Sequence, residues 1–117
     1  MHKEQLMELH QFFVHVHREL LPSEDQCKYF KIYDDLDVRP HHIHKLKNEQ
    51  IAAIFLLSAC ITEHLSKNGG EDYKKLSFKL VDKAFKYINP KSKNMSIHIE
   101  EHLKHNNSKN NYYGIKL

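Results

Sequence analysis

A chain of 117 residues, 40% hydrophobic and 28% charged, has the size and make-up of one domain built on one modest core. Its formal charge of +3 is too small to announce nucleic-acid binding by itself, and no apolar run nears the roughly 20 residues that cross a bilayer. The opening MHKEQLMELHQFF carries acids and lacks a small-residue cleavage site, so no secretory signal and no membrane span are expected, and the cytoplasm is the expected compartment.

Charge is unevenly spread. Residues 1–40 carry five Lys/Arg against eight Asp/Glu, residues 41–89 eight against five, and residues 90–117 five against two. An acidic first third beside a basic remainder can self-associate or bind an anion. Eleven histidines add a charge that titrates between about pH 5 and 8.

The first predicted element is an amphipathic helix from His2 to Leu21. Leu6, Leu9, Phe13, Val16 and Leu20 recur at three- and four-residue steps, and Pro22 stops the pattern. Phe12, Val14 and Leu21 widen the apolar surface enough to suggest a second packing partner. Residues 22–40 read as an irregular region holding a short helix through QCKYFKIYDDL, with Ser23 and Gln26 as a capping pair. Tyr29, Phe30, Ile32, Tyr33 and Leu36 form its buried side, and Val38 or Arg39 is extended before Pro40.

A long helix is expected from Pro40 or His41 to Lys67. Proline suits the first turn because its missing N–H would have lacked a partner there. Ile43, Leu46, Gln50, Ile51, Ile54, Leu57, Ile61 and Leu65 trace its apolar face, and IAAIFLLSACI is apolar nearly all round. Asn68-Gly69-Gly70 ends it, and a third helix runs from Glu71 to Ile88 with Tyr73, Leu76, Leu80, Ala84, Tyr87 and Ile88 facing the core. Asn89-Pro90 closes that helix. Residues 90–117 are rich in Lys, Asn and Ser and read as a polar, flexible tail with a short helix near SIHIEEHLKH.

The expectation is thus an all-α helical bundle over residues 1–89 with two or three long helices, plus a polar C-terminal tail over 90–117. A helix apolar nearly all round is hard to cover in a three-helix monomer, so a homodimer is the expected partner arrangement. Cys60 reads as a buried reduced thiol and Cys27 as a cysteine in a polar connection; neither is expected to have a disulfide partner.

Two stretches, MHKEQLMELH and YDDLDVRPHHIHKLKNEQIAAIF, resemble an archaeal family of small helical proteins of unknown function, uncharacterised protein family fifty-eight. The family's opening is matched by His2, Lys3, Leu9 and His10, and its centre by Leu36, Asp37, Val38, Pro40, His42, Ile43, His44 and Lys45. Glu49 also matches, whereas Gln50 and Ile51 stand where members often carry His-Lys, so one polar ligand candidate is missing. The resemblance covers about residues 1–88. It implies an all-helical, dimeric fold and brings no established reaction.

Two site chemistries compete at RPHHIHKLKNEQ. Zinc or another divalent ion needs three or four His, Cys or carboxylate ligands at about 2.0–2.3 Å. His2, His10, His42, His44 and Glu49 are the candidate ligands, gathered from two packed helices in a structural or regulatory site without enzymatic activity. The alternative is a phosphate or nucleic acid held by His41, Lys45 and Lys47 at the helix start. Solvated helix-end residues pairing with Asp34, Asp35 and Asp37 are the plainer alternative to both. In the tail, His98, His102 and His105 have helical ligand spacing but lack the HExxH pattern, and are read as solvated. No Ser-His-Asp order, Cys-His pair or glycine-rich phosphate loop points to an enzyme.

Overall fold

A computed structural model describes residues 1–21, 27–91 and 95–113, the stretch 105–113 by its backbone alone. Among the described residues five helices follow one another: α1 (Lys3–Leu20), α2 (Phe30–Leu36), α3 (Lys47–Gly69), α4 (Glu71–Phe85) and α5 (Ser96–Tyr113). The described residues contain no strand, and the protein is an all-α bundle. The proposed Ser23–Gln26 cap lies outside the described residues, as does Pro22. No helix among the described residues is long and apolar enough to cross a membrane.

The central element is α3, which packs most extensively on α4, then on α1 and α2. Gly70 joins α3 to α4 at φ +83° and ψ −159°, a backbone state open in practice only to glycine. Just before it, a side chain at Gly69 would overlap the Tyr73 ring. This tight corner brings α4 back along α3. Small residues then let the two axes approach closely: Ala52, Ala59 and Ser66 on α3, and Ser77 and Ala84 on α4, are all buried.

That packing rotates both helices away from the expected faces. The buried side of α3 is Gln50, Ala52, Ala53, Leu56, Leu57, Ala59 and Cys60, and that of α4 is Ser77, Val81 and Ala84. Of the expected face residues, Leu65, Tyr73, Leu76 and Tyr87 are exposed, while Gln50, Leu57, Ala84 and Ile88 are buried as anticipated. Bulk was the wrong guide because close helix contact selects alanine and serine, which carry little weight in an apolar pattern.

The long helix also starts later than expected. Residues 40–46 form turns, and α3 begins at Lys47 with Leu46 as an extended N-cap (φ −68°, ψ 154°). The Leu46 N–H donates to Glu49 Oε1 at 2.7 Å, so Glu49 serves the first turn from its third position. Ile43 and Leu46, both assigned to the core by their spacing, are 73% and 68% exposed. On α2 the expected buried side holds: Tyr29, Ile32 and Tyr33 are buried, with Phe30 and Leu36 packed against the cluster. Asp37, left-handed at φ 56°, turns the chain out of α2.

Two further expectations are corrected. Cys27 is buried rather than exposed, and it forms a disulfide with Cys60, their Cα atoms 5.6 Å apart. The absence of a CxxC pattern concealed the pair because the bridge spans a sequence separation of 33. By loop entropy, closing a loop of that size restricts the unfolded chain by about 3–4 kcal/mol. The described part of the polar segment after Asn89 is seated on the body as well. Met95 is 1% exposed within the core cluster, and the buried His102 ring stacks on Phe78 at 4.3 Å.

Candidate functional site around the His–Lys loop

The loop takes its shape from its own backbone. The Arg39 N–H donates to His42 Nδ1 at 3.0 Å, His42 N–H to the Arg39 carbonyl at 3.1 Å, and Lys45 N–H to the His42 carbonyl at 3.2 Å. His42 is therefore used to fold the turn, which is why the helix cannot begin at Pro40. From α1, the Lys3 ammonium donates to the Ile43 carbonyl and pins the loop to the start of the first helix. The tip so formed presents His41, Ile43, His44 and Lys47 to solvent, with Lys45 half-buried.

The five expected metal ligands are placed apart in role. His2 is exposed at the N-cap of α1, its N–H donating to Gln5 Oε1 at 2.8 Å. His10 is fully buried between α1, α2 and α3. Its Nδ1 lies 2.7 Å from Gln50 Oε1 and its Nε2 lies 2.8 Å from the Tyr33 hydroxyl. Gln50 Nε2 donates to the Arg39 carbonyl at 3.1 Å, which identifies Gln50 Oε1 as the acceptor facing the histidine. His10 thus donates from Nδ1 and accepts the Tyr33 O–H at Nε2, a neutral ring with both nitrogens engaged. Burial pushes its pKa down to about 4, against the hydrogen bond to Gln50 that favours the charged form. Glu49 caps α3. Only His42 and His44 adjoin, together with His41, in a short run of rings with centroids 4.7 and 5.7 Å apart. Partial desolvation, then the neighbouring His41 and His44, lower the His42 pKa. Among the described residues no group of three or more His, Cys, Asp or Glu side chains is gathered as a metal site would require.

Arg39 links this loop to a cleft. Its Nη2 donates to Asp34 Oδ1 at 2.8 Å, and its guanidinium lies 5.0 Å from the centre of the Tyr33 ring. The guanidinium and the Tyr33 hydroxyl are near enough to influence each other's ionisation. Even so, Nη1 is buried and makes no hydrogen bond of ordinary geometry among the described residues. Beside it opens a cleft of about 250 Å³ whose lining includes Arg18, Phe30, Tyr33, Arg39 and His41. His17 forms part of its wall, stacked on Phe30 at 5.0 Å with an 18° interplanar angle.

Sequence reasoning missed Arg18, Arg39, Tyr33 and Asp34 as a group. The only signal was rarity: Arg18 and Arg39 are the two arginines among eighteen Lys/Arg residues. The tail histidines turn inward rather than to solvent. His98 Nε2 donates to Asp35 Oδ2 at 2.7 Å and His102 Nε2 to Asp82 Oδ1 at 3.3 Å, which seats α5 on α2 and α4. His105 lies beyond the described side chains.

Comparison with known proteins places the chain. The sequence model of Uncharacterised protein family UPF0058 matches residues 1–87. The chain is 52% identical over 103 residues to the UPF0058 protein MJ1132 of Methanocaldococcus jannaschii, covering 83% of this chain and 87% of that protein. It is 45% identical over 71 residues to the UPF0058 protein MJ1205 of the same organism, covering 59% and 68%. A UPF0058 protein of Methanothermobacter thermautotrophicus is 39% identical over 72 residues, covering 62% and 71%. No solved structure matches the chain. With its family motifs and nearly its whole helical body matched, the chain belongs to the uncharacterised archaeal family UPF0058.

Proposed function

We propose that this protein is a non-enzymatic, cytoplasmic nucleic-acid-binding protein that acts as a homodimer and receives a phosphate backbone on the 41–47 loop. The observation that carries this reading is the make-up of the loop tip. Lys45 and Lys47 stand beside His41 and His44, with Lys3 reaching in from α1. Ile43 and Leu46 are the most exposed large hydrophobic residues among the described ones. Cations hold phosphates, neutral imidazoles donate hydrogen bonds to them, and aliphatic side chains contact sugars and bases. Fluorescence anisotropy with labelled single- and double-stranded RNA and DNA tests it: the wild type binds at low salt, and the paired change Lys45→Gln, Lys47→Gln weakens binding about tenfold or more. No binding of any of these nucleic acids would remove the reading.

The homodimer rests on the surface of α3. Ile51, Ile54, Ile61 and Leu65 lie along its side away from the core and are at best partly covered within the monomer. Tyr73, Leu76, Leu80 and Tyr87 extend this face onto α4, where Tyr87 stacks on Phe55 of α3 at 6.0 Å. Such a face on the central helix of a bundle fits a second copy across a two-fold axis.

A second reading, a divalent ion such as zinc, draws on the run of His41, His42 and His44 rings. It requires those rings to turn and a further ligand to join them. Elemental analysis of tag-free protein, with the paired change His42→Ala, His44→Ala as control, tests it; a metal-free wild type after incubation with zinc would exclude it.

A further inference from the structure

We infer that the cleft lined by Arg18, Arg39 and His41 is a binding site for a nucleotide-sized phosphate monoester. This inference goes beyond the loop reading above, because it rests on the two arginines rather than on the lysines, shares only His41 with the loop, and takes a ligand of fixed size rather than a polymer.

Charge is the first support. Both arginines of the chain line this one cleft, one from the last turn of α1 and one from the turn that follows α2, some twenty residues apart in sequence. The other sixteen basic residues are lysines, and none of them is among the residues lining this cleft. Arginine offers a planar fork of donors matched to phosphate oxygens, which a lysine ammonium does not. Asp34 neutralises part of this charge through Arg39 Nη2, yet it leaves Nη1 buried and without a hydrogen bond among the described residues. The Arg39 side chain keeps 31% of its surface exposed, so an anionic oxygen in the cleft meets its accessible edge beside the Asp34 pair.

Shape and lining are the second. The remaining wall is apolar and aromatic: Val14 and Leu57, the stacked pair of His17 and Phe30, and the Tyr33 ring beneath Arg39. Flat rings at the base of a cationic cleft suit a planar body by stacking. The volume of about 250 Å³ is of the order that one such ring with its sugar and phosphate occupies. His41, exposed and lining the same cleft, adds an imidazole beside the arginines. The wider cleft between α2 and α5, of about 380 Å³, lacks this selectivity because Lys28 is paired with Glu63 and Lys31 with Asp35, and Glu101 adds a negative charge to its lining.

The test is a titration of the full chain with AMP, GMP, CMP and UMP, followed by heteronuclear NMR and calorimetry. Inorganic phosphate and unphosphorylated nucleosides are the controls. At least one monophosphate is expected to bind tenfold or more tightly than its nucleoside and than inorganic phosphate, shifting the amides around Arg18, Phe30 and Arg39. Arg18→Gln, an exposed position on α1, weakens this binding fivefold or more, and Arg39→Lys, which keeps the charge next to Asp34, weakens it likewise. Lys45→Gln with Lys47→Gln leaves it within twofold. A short oligonucleotide with a 5′-phosphate, compared with its 5′-hydroxyl form, separates the sources: selective binding of the phosphorylated strand means a strand end is accepted, and binding of the free monophosphate alone means a soluble nucleotide is. No binding of any monophosphate at millimolar concentration overturns the inference, as does binding that Arg18→Gln and Arg39→Lys leave unchanged, or inorganic phosphate binding as tightly as the nucleotide. Loss of polymer binding with monophosphate binding intact would remove only the loop reading.

Discussion

A fully buried histidine must be either neutral or paired with a charge, and His10 is neutral. Its donor goes to Gln50 and its acceptor to Tyr33, so three helices share one closed polar network inside an apolar core. The sign of its pH dependence follows. Because burial places the folded pKa at about 4, below the ordinary 6.5, the unfolded chain takes up the proton first as the solution is acidified. This group's stabilisation is complete above pH 6.5 and is lost as the pH falls from 6.5 toward 4, by an amount of the order of 3 kcal/mol. Urea unfolding of wild type and His10→Gln across that window checks it: the wild type loses roughly 3 kcal/mol more than the variant, and parallel curves would contradict the network. None of this was legible along the chain. His10 and its neighbours in the motif suggested a ligand. Its actual partners stand 23 and 40 residues away, and a hydrogen bond over such a distance leaves no local pattern.

Among elements, existence was legible, whereas phase was legible on α2 and not on α3 or α4. Helical periodicity placed α1, α2, α3 and α4 in order, and the glycine pair marked the corner between α3 and α4. The start of α3 was misplaced because Pro40 is a permitted first-turn residue, and nothing local revealed that His42 would fold back on Arg39. The sequence did contain the true start: Glu49 three positions after Leu46 is half of a capping box. Its role as a cap rather than a metal ligand is directly testable. Glu49→Ala should destabilise the protein by about 1 kcal/mol, as loss of a helix-terminal hydrogen bond and a favourable dipole contact does. Glu49→Gln, which can still accept the Leu46 N–H, should recover most of that loss in thermal unfolding. The rotation of α3 and α4 has the same origin as the hidden cap. Alanine and serine stripes bring helices together without registering as apolar pattern, so the bulky residues that do register were left outside.

At the scale of the whole molecule those displaced residues become the account's main structural consequence. Leu65, Tyr73 and Leu76 cluster where α3 turns into α4, next to the Gly69 contact with the Tyr73 ring. A second copy laid over this face would cover the remaining side of the central helix. Sedimentation velocity should give a dimer at micromolar concentration, and Leu65→Glu should yield a folded monomer; a monomeric wild type would contradict the proposed assembly. A two-fold arrangement also doubles the basic loops available to one nucleic acid, which raises affinity by linkage rather than by new contacts. The most direct test of the nucleic-acid reading is therefore the salt dependence of binding to a single-stranded oligonucleotide. Each phosphate neutralised contributes a slope of about −0.7 in log K against log salt. A slope of about −2 or steeper is expected for the wild type, made shallower by roughly 1 or more when Lys45 and Lys47 are both changed to Gln. An affinity indifferent to salt, or a slope that the double change leaves untouched, would contradict it.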